Sequence, residues 1–124
     1  MSDVKVFNNF KIHTQYSICE GAIKIDDLAN YCKENKTPNI GICDSFNLCG
    51  ALEFSEKISK SGTHPIIGTQ INFSLEDTIG KLPLFACTSL GYTNLIKLSS
   101  KSYLDSNEKT DAHCKISELK NIVI

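Results

Sequence analysis

The chain has no apolar run long enough to cross a bilayer, and its opening, Met1-Ser2-Asp3-Val4-Lys5, lacks the pattern of a secretory signal. These absences predict a cytoplasmic protein without a membrane partner. There is no surplus of either charge. Thirteen basic side chains stand against 14 acidic ones, a net charge of -1, so nothing in the balance argues for direct nucleic-acid binding. The cysteines, at 19, 32, 43, 49, 87 and 114, form no Cys-x-x-Cys pair. Without a secretory signal an even count is a weak case for disulfides. The three histidines, His13, His64 and His113, have no recognised zinc spacing with them. The cysteines read as small buried hydrophobes.

What remains is a 124-residue chain, 41% hydrophobic and 22% charged, enough for one modest globular domain. Apolar pieces at residues 4–7 and 10–12 predict a short first strand ending near His13, and residues 14–21 a loop. Ile25, Leu28, Ala29 and Cys32 fall at i, i+3, i+4 and i+7 and predict a helix, started by Asp26 or Asp27 and closed by Asn35 and Pro38. Residues 39–43 read as a strand buried on both faces. A second helix is expected over 47–60, capped by Asn47, with Leu48, Ala51, Leu52 and Ser55 on one face, Phe54 and Ile58 beside it, and Gly62 as its stop. Strands follow at 65–73 and 82–87, with a polar turn over 74–81 between them. A third helix, capped by Thr93 or Asn94, would turn Tyr92, Leu95, Ile96, Ser99 and Tyr103 to one face. Residues 104–114 read as a surface loop, 116–119 as a helical turn and 121–124 as the start of another strand.

Alternating strands and helices predict an α/β fold with a largely parallel sheet. Because the chain stops inside the apolar run Ile122-Val123-Ile124, it is expected to be the N-terminal part of a longer protein. In such folds the ligand crevice lies at the carboxyl ends of the strands. That places Asp44, Ser45 and Asn47, just after the 39–43 strand, where a site would stand.

Several stretches then resemble one family: Phe10-Lys11-Ile12-His13-Thr14-Gln15-Tyr16-Ser17, Glu20-Gly21, Asp44-x-x-Asn47-Leu48-x-Gly50-Ala51-Leu52-Glu53-Phe54, Pro65-Ile66-Ile67-Gly68, Gly91-Tyr92-x-Asn94-Leu95 and Ser100-Lys101-x-Tyr103. In order and spacing they resemble the N-terminal PHP (polymerase and histidinol phosphatase) domain of the bacterial replicative DNA polymerase III alpha subunit, across residues 1–124. The resemblance implies the N-terminal portion of a distorted (β/α)7 barrel with a potential metal site at the strand ends. Active members hold up to three ions there with histidines and carboxylates and hydrolyse phosphate esters; such ligands suit divalent metals that activate water.

Against that pattern the chain departs repeatedly. The family's opening His-x-His falls on Asn9 and Lys11, and a lysine has no acceptor to offer a metal. The histidine after the second strand falls on Ser45, a carboxylate position on Gln70 and a further histidine on Lys81. His13, Glu20 and Asp44 survive. The resemblance therefore implies a degenerate, metal-free scaffold, with no catalytic residue in this segment. It would support the remainder of the polymerase alpha chain and dock the proofreading exonuclease (epsilon) subunit, without binding DNA itself. The parent would be a DNA-directed DNA polymerase using Mg, with its catalytic carboxylates elsewhere. The alternative is a metal-dependent phosphoesterase or 3′–5′ exonuclease keeping one weakly bound divalent ion on His13, Glu20 and Asp44; an isolated metal-binding module is a third reading. From the residues themselves, His13 reads as a hydrogen-bonded histidine fixing the first loop. Asp44 reads as a buried carboxylate capping the turn or the second helix, with Lys11 its candidate partner. Glu53 reads as a helix-surface or site-edge residue, and Tyr92, Asn94 and Tyr103 as packing and capping residues.

Overall fold

A computed structural model of the chain describes residues 7–106, 111–120 and 122–124. Its elements follow the order α1 (Ile25–Asn35), β1 (Asn39–Ser45), α2 (Ala51–Lys60), β2 (His64–Leu75), β3 (Thr78–Phe85), α3 (Ser89–Leu104), β4 (Cys114–Lys115) and a 3-10 turn, Ile116–Leu119. β1 and β4 pair with β2 in parallel and β3 pairs with it antiparallel. The sheet is thus mixed, within the expected α/β class.

α1 lies where the apolar spacing predicts and buries all four residues of the expected face, Ile25, Leu28, Ala29 and Cys32. Its N-cap is Lys24, however, and Asp26 and Asp27 sit in the first turn, where their charge complements the free N–H groups. Lys36, in the left-handed region at φ 49, ends it. α2 begins at Ala51, four residues later than expected, and its buried stripe is Ala51, Phe54 and Ile58. Leu52, expected on the buried face, is 71% exposed. α3 begins four residues before the expected cap, because the Thr88 side chain accepts from the Gly91 N–H. Its buried side is Gly91, Leu95, Leu98 and Ser102, so only Leu95 of the expected stripe is fully buried.

Three further expectations change. Residues 78–81, expected within a polar turn, belong to β3, which follows β2 through a two-residue turn at Glu76 and Asp77. The first strand is expected at residues 4–7 and 10–12. Residues 4–6 lie outside the described residues. Residues 7–12 form no regular strand but follow the edge of β1, with Gly41 N–H donating to Asn9 O at 2.8 Å and Cys43 N–H to Ile12 O at 2.8 Å. The 3-10 turn agrees with the expectation. The final expected strand is absent over residues 122–124, and Asn121 lies outside the described residues.

The pleat sorts the sheet into two faces, since successive side chains point oppositely. Ile40 and Ile42 of β1 share a face with Ile67, Ile71 and Phe73 of β2 through the register Ile42↔Ile67. Helices cover this face. α1 and α2 bury Ile40 and Ile42 in a core with Phe54 and Ile58, and Leu98 of α3 covers Ile71 and Phe73. The other face carries Gly41, Cys43 and Ser45 beside Gly68, Gln70 and Asn72. Glycine is required at two of these places. A Cβ on Gly41 would come within 2.5 Å of the Phe10 carbonyl oxygen, and one on Gly68 within 2.4 Å of the Phe85 ring. The missing side chains let the rings of Phe10 and Phe85 meet across this face, 6.1 Å between centroids. The segment carrying His13 is thereby fixed against β1.

The cysteines divide evenly. Cys32, Cys43 and Cys114 are buried, as expected, but Cys19, Cys49 and Cys87 are exposed. Burial pushes the thiols of Cys43 and Cys114 up to about 11. Since the thiolate is the reactive form, titration with a disulfide reagent at mildly alkaline pH should modify the three exposed cysteines quickly and the other three only with denaturant. Rapid reaction of more than three in the native chain would contradict this packing.

Candidate functional site

The carboxyl end of β1 carries Asp44 and Ser45 on opposite faces, and each is held by the loop of residues 14–21. Asp44 is 1% exposed. Its Oδ1 accepts from the Thr14 N–H at 2.6 Å and from the Ser17 hydroxyl at 2.7 Å, and its Oδ2 accepts from the Thr14 hydroxyl at 2.8 Å. Three protein donors thus surround a buried carboxylate. The expected Lys11 partner is not there: Lys11 is exposed and forms no ion pair with Asp44, and Asp44 anchors the first loop instead of capping α2. A buried carboxylate needs donors more than it needs a cation, and hydroxyls and backbone N–H groups supply them.

Ser45 faces the other way. Its N–H donates to the Ser17 hydroxyl at 3.0 Å and its own hydroxyl donates to Glu20 Oε2. Gln70 Nε2 approaches Ser45 Oγ at 3.5 Å from β2. The second oxygen of Glu20 meets the ammonium of Lys81, on β3, at 3.3 Å. That ammonium also lies 5.4 Å from the centroid of the Phe46 ring. The Glu20 carboxyl is held below its ordinary range by the Ser45 hydroxyl first and Lys81 second.

The turn after β1 is shaped by residues that periodicity did not single out. Phe46 has φ 66, an uncommon backbone state for an aromatic residue. Its N–H donates to Gln70 O at 2.9 Å and its carbonyl accepts from the Tyr103 hydroxyl at 2.6 Å. Tyr103 therefore fixes this turn from α3. Asn47, expected to cap α2, builds the same turn: Nδ2 donates to Tyr16 O at 2.9 Å and Ser45 O at 3.2 Å, while Oδ1 accepts from Cys49 N–H at 3.1 Å.

Of the sequence-predicted site residues, the structure brings Glu20, Ser45, Gln70 and Lys81 together. His13 contributes least, after the Ser45 hydroxyl and Lys81, to the lowering of the Glu20 carboxyl. Its Nδ1 is buried without a hydrogen-bond partner, so the expected hydrogen-bonded role is not seen at that atom. Asp44 belongs to the loop anchor on the opposite face. Asn9 lines a separate cavity of about 520 Å³ with Ile12, Leu28, Tyr31 and Ile40. Among the described residues no three His, Cys, Asp or Glu side chains are grouped so as to hold a metal ion. The donor chemistry does not fit a multinuclear centre either: the oxygens of Asp44 and Glu20 already accept from protein donors, and one of those donors is an ammonium.

A second network joins the loop to the helices. The Tyr16 hydroxyl donates to Glu53 Oε2 at 2.6 Å, Glu53 Oε1 pairs with Lys57 at 2.9 Å, and Lys57 reaches Asp26 of α1 at 2.6 Å. The Glu53 carboxyl is lowered by the Tyr16 hydroxyl first and Lys57 next. Glu20 and Glu53 are thus both depressed in the folded chain, so the unfolded chain binds their protons at higher pH. The stability they contribute is complete above the ordinary value of 4.5 and lost as pH falls below it. Thermal melts should stay level from neutral pH down to that region and then drop, with a shallower drop in Glu53→Gln. An equally steep drop in that variant would remove Glu53 from the account.

No helix among the described residues is long and apolar enough to cross a membrane. Comparisons with known proteins converge on one family. A model of the PHP domain matches residues 9–122. The chain is 35% identical over 113 residues to the DNA polymerase III subunit alpha of Helicobacter pylori, covering 85% of this chain and 9% of that one. It is 36% identical over 110 residues to the same subunit of Borreliella burgdorferi, covering 80% and 10%, and 38% identical over 110 residues to that of Caulobacter vibrioides, covering 82% and 10%. The chain spans about a tenth of the length of these curated relatives. A crystal structure from Bifidobacterium adolescentis, described as a candidate metal-dependent phosphoesterase, superposes with a TM-score of 0.55 at 17% identity, over 78% of this chain and 35% of that one; this likeness shows a shared fold. With the family model running over nearly its whole length and DNA polymerase III alpha subunits as its relatives, the chain belongs to the PHP domain family.

Proposed function

We propose that this chain is the N-terminal PHP domain of a bacterial replicative DNA polymerase III alpha subunit, that its metal centre is degenerate, and that it acts as a scaffold. In this reading, residues 1–124 support the remainder of the alpha chain and dock the proofreading exonuclease (epsilon) subunit. The Mg required for nucleotidyl transfer would be held elsewhere in the parent chain. The observation that carries the reading is the state of Glu20, whose two carboxylate oxygens are taken by the Ser45 hydroxyl and the Lys81 ammonium. Asn9, Lys11, Ser45, Gln70 and Lys81, at the remaining positions of the family pattern, offer neither an imidazole nor a carboxylate. The even charge balance suits protein contacts better than direct DNA contacts, and a soluble replication protein of this kind would work in the cytoplasm.

One observation favours the alternative of a phosphoesterase or 3′–5′ exonuclease with a reduced site: the buried Nδ1 of His13 has no hydrogen-bond partner, and an imidazole nitrogen suits a divalent ion. The two readings separate in a paired assay. The chain is supplied with manganese or zinc and offered a phosphodiester and a 3′-ended oligonucleotide. It is also passed over a sizing column with the exonuclease subunit of its own organism. A scaffold gives a complex and no hydrolysis. Metal-dependent hydrolysis that disappears in His13→Ala would overturn the proposal.

A further inference from the structure

Resting on the degenerate-site reading, we infer that Lys81 replaces a metal ion as the cation that fastens loop 14–21 to the strand ends. Glu20 brings a negative charge from that loop onto a sheet face whose polar side chains from β1 and β2, Ser45, Gln70 and Asn72, are all neutral. Ser45 and Gln70 can donate hydrogen bonds to that charge but cannot neutralise it. Lys81 is paired with Asn72 in the β2–β3 register, so it projects to the same face, and its Nζ reaches Glu20 Oε1 at 3.3 Å.

The ammonium is held on a second side by the face of the Phe46 ring, 5.4 Å to the centroid. That ring is itself positioned by the Gln70 carbonyl and the Tyr103 hydroxyl, which fix the backbone of Phe46 at φ 66. Such a backbone state persists where its surroundings over-determine it, and here its effect is to place an aromatic face over a lysine. From Lys81 the contacts run without a gap: Glu20, the Ser45 hydroxyl, the Ser45 N–H to Ser17, and Ser17 to Asp44. An ammonium supplies one positive charge and three donors but no coordination sphere for water or phosphate. It can do the fastening part of a metal's work without the Lewis-acid part. Lys81 is a positioning residue in this sense.

The test is amide hydrogen exchange of residues 17–21, with and without manganese chloride, in the wild-type chain and in Lys81→Arg, Lys81→Gln and Lys81→Glu, with Lys11→Gln as a charge control. Arginine keeps the charge and should keep the protection. Glutamine should raise exchange of the loop by roughly twofold to fivefold, the scale of a partly exposed ion pair, and leave α1 and α2 unchanged. Lys81→Glu sets a second carboxylate beside Glu20. It should exchange fastest and be the one variant whose loop manganese protects. Wild type and Lys11→Gln should match and ignore the metal. Exchange in Lys81→Gln equal to wild type, in a wild-type chain that binds no manganese, overturns the role of Lys81 alone. Manganese protection of the wild-type loop overturns this inference and the metal-free reading with it.

Discussion

Replacing Asp44 with alanine should lower the stability of the chain by about 3–5 kcal/mol. The carboxylate is 1% exposed and accepts from the Thr14 N–H, the Thr14 hydroxyl and the Ser17 hydroxyl. Removing it leaves three buried donors without an acceptor, each worth about 1–3 kcal/mol when unsatisfied, and partial relaxation of the loop brings the sum down to the stated range. A small domain has only about 5–15 kcal/mol in total, so the loss is a large fraction of it. Asp44→Asn should recover less than half of the loss, because its NH2 group turns a donor toward donors. Urea melts of the three chains, compared at a common slope, give the numbers. If Asp44→Ala were close to wild type, the carboxylate would not be the anchor of the first loop, and its persistence would need a ligand to explain it.

The second large effect is expected at Phe54. Its side chain is fully buried in the core that α1 and α2 make over β1, with Ile25, Leu28, Cys32, Ile40, Ile42 and Ile58 around it. Phe54→Ala removes a ring that this packing cannot refill and should cost about 3–5 kcal/mol. Leu52→Ala, two residues earlier on the same helix, should change stability by less than about 0.5 kcal/mol, because that side chain is 71% exposed. Equal losses at the two positions would mean that the helix does not turn Ala51, Phe54 and Ile58 to the core.

That pair also shows how far the sequence could be read. The apolar spacing of α1 is unambiguous, and its buried face is the expected one. In α2 apolar residues stand on both sides: Leu48 and Leu52 share one spacing, and Ala51, Phe54 and Ile58 another. Periodicity cannot choose between two such stripes. The turn built by Asn47 decides, because it delays the helix start to Ala51. The β2–β3 hairpin was hidden for a different reason. Its turn uses Glu76 at φ 53 and Asp77 instead of the usual Asn-Gly or Asp-Gly signal, and Thr78-Ile79-Gly80-Lys81 is too polar and exposed to read as a strand.

In the site, the residue types were legible and the pairing was not. Lys81 was among the expected positions, but the lysine sought for a carboxylate was Lys11, two residues from His13. Only the antiparallel register of β3, invisible in the spacing, carries Lys81 to Glu20. The donors that satisfy Asp44 lay in plain view in Thr14-Gln15-Tyr16-Ser17. They stand 30 and 27 residues from Asp44 in sequence, a separation that no local spacing reveals. Tyr103, read as a packing residue, proves to hold the carbonyl of Phe46.

In the proposed scaffold, the Ser45 hydroxyl and the Lys81 ammonium hold Glu20 at the strand ends without a metal ion. The most direct measurement is the metal content of the purified chain by mass spectrometry, after incubation with zinc or manganese and exhaustive dialysis. The account predicts far less than one ion per chain, with Asp44→Asn and Lys81→Gln no lower than wild type. Two or three ions retained per chain, and lost when Glu20 or His13 is replaced, would contradict it and make metal-dependent phosphoesterase chemistry the leading reading.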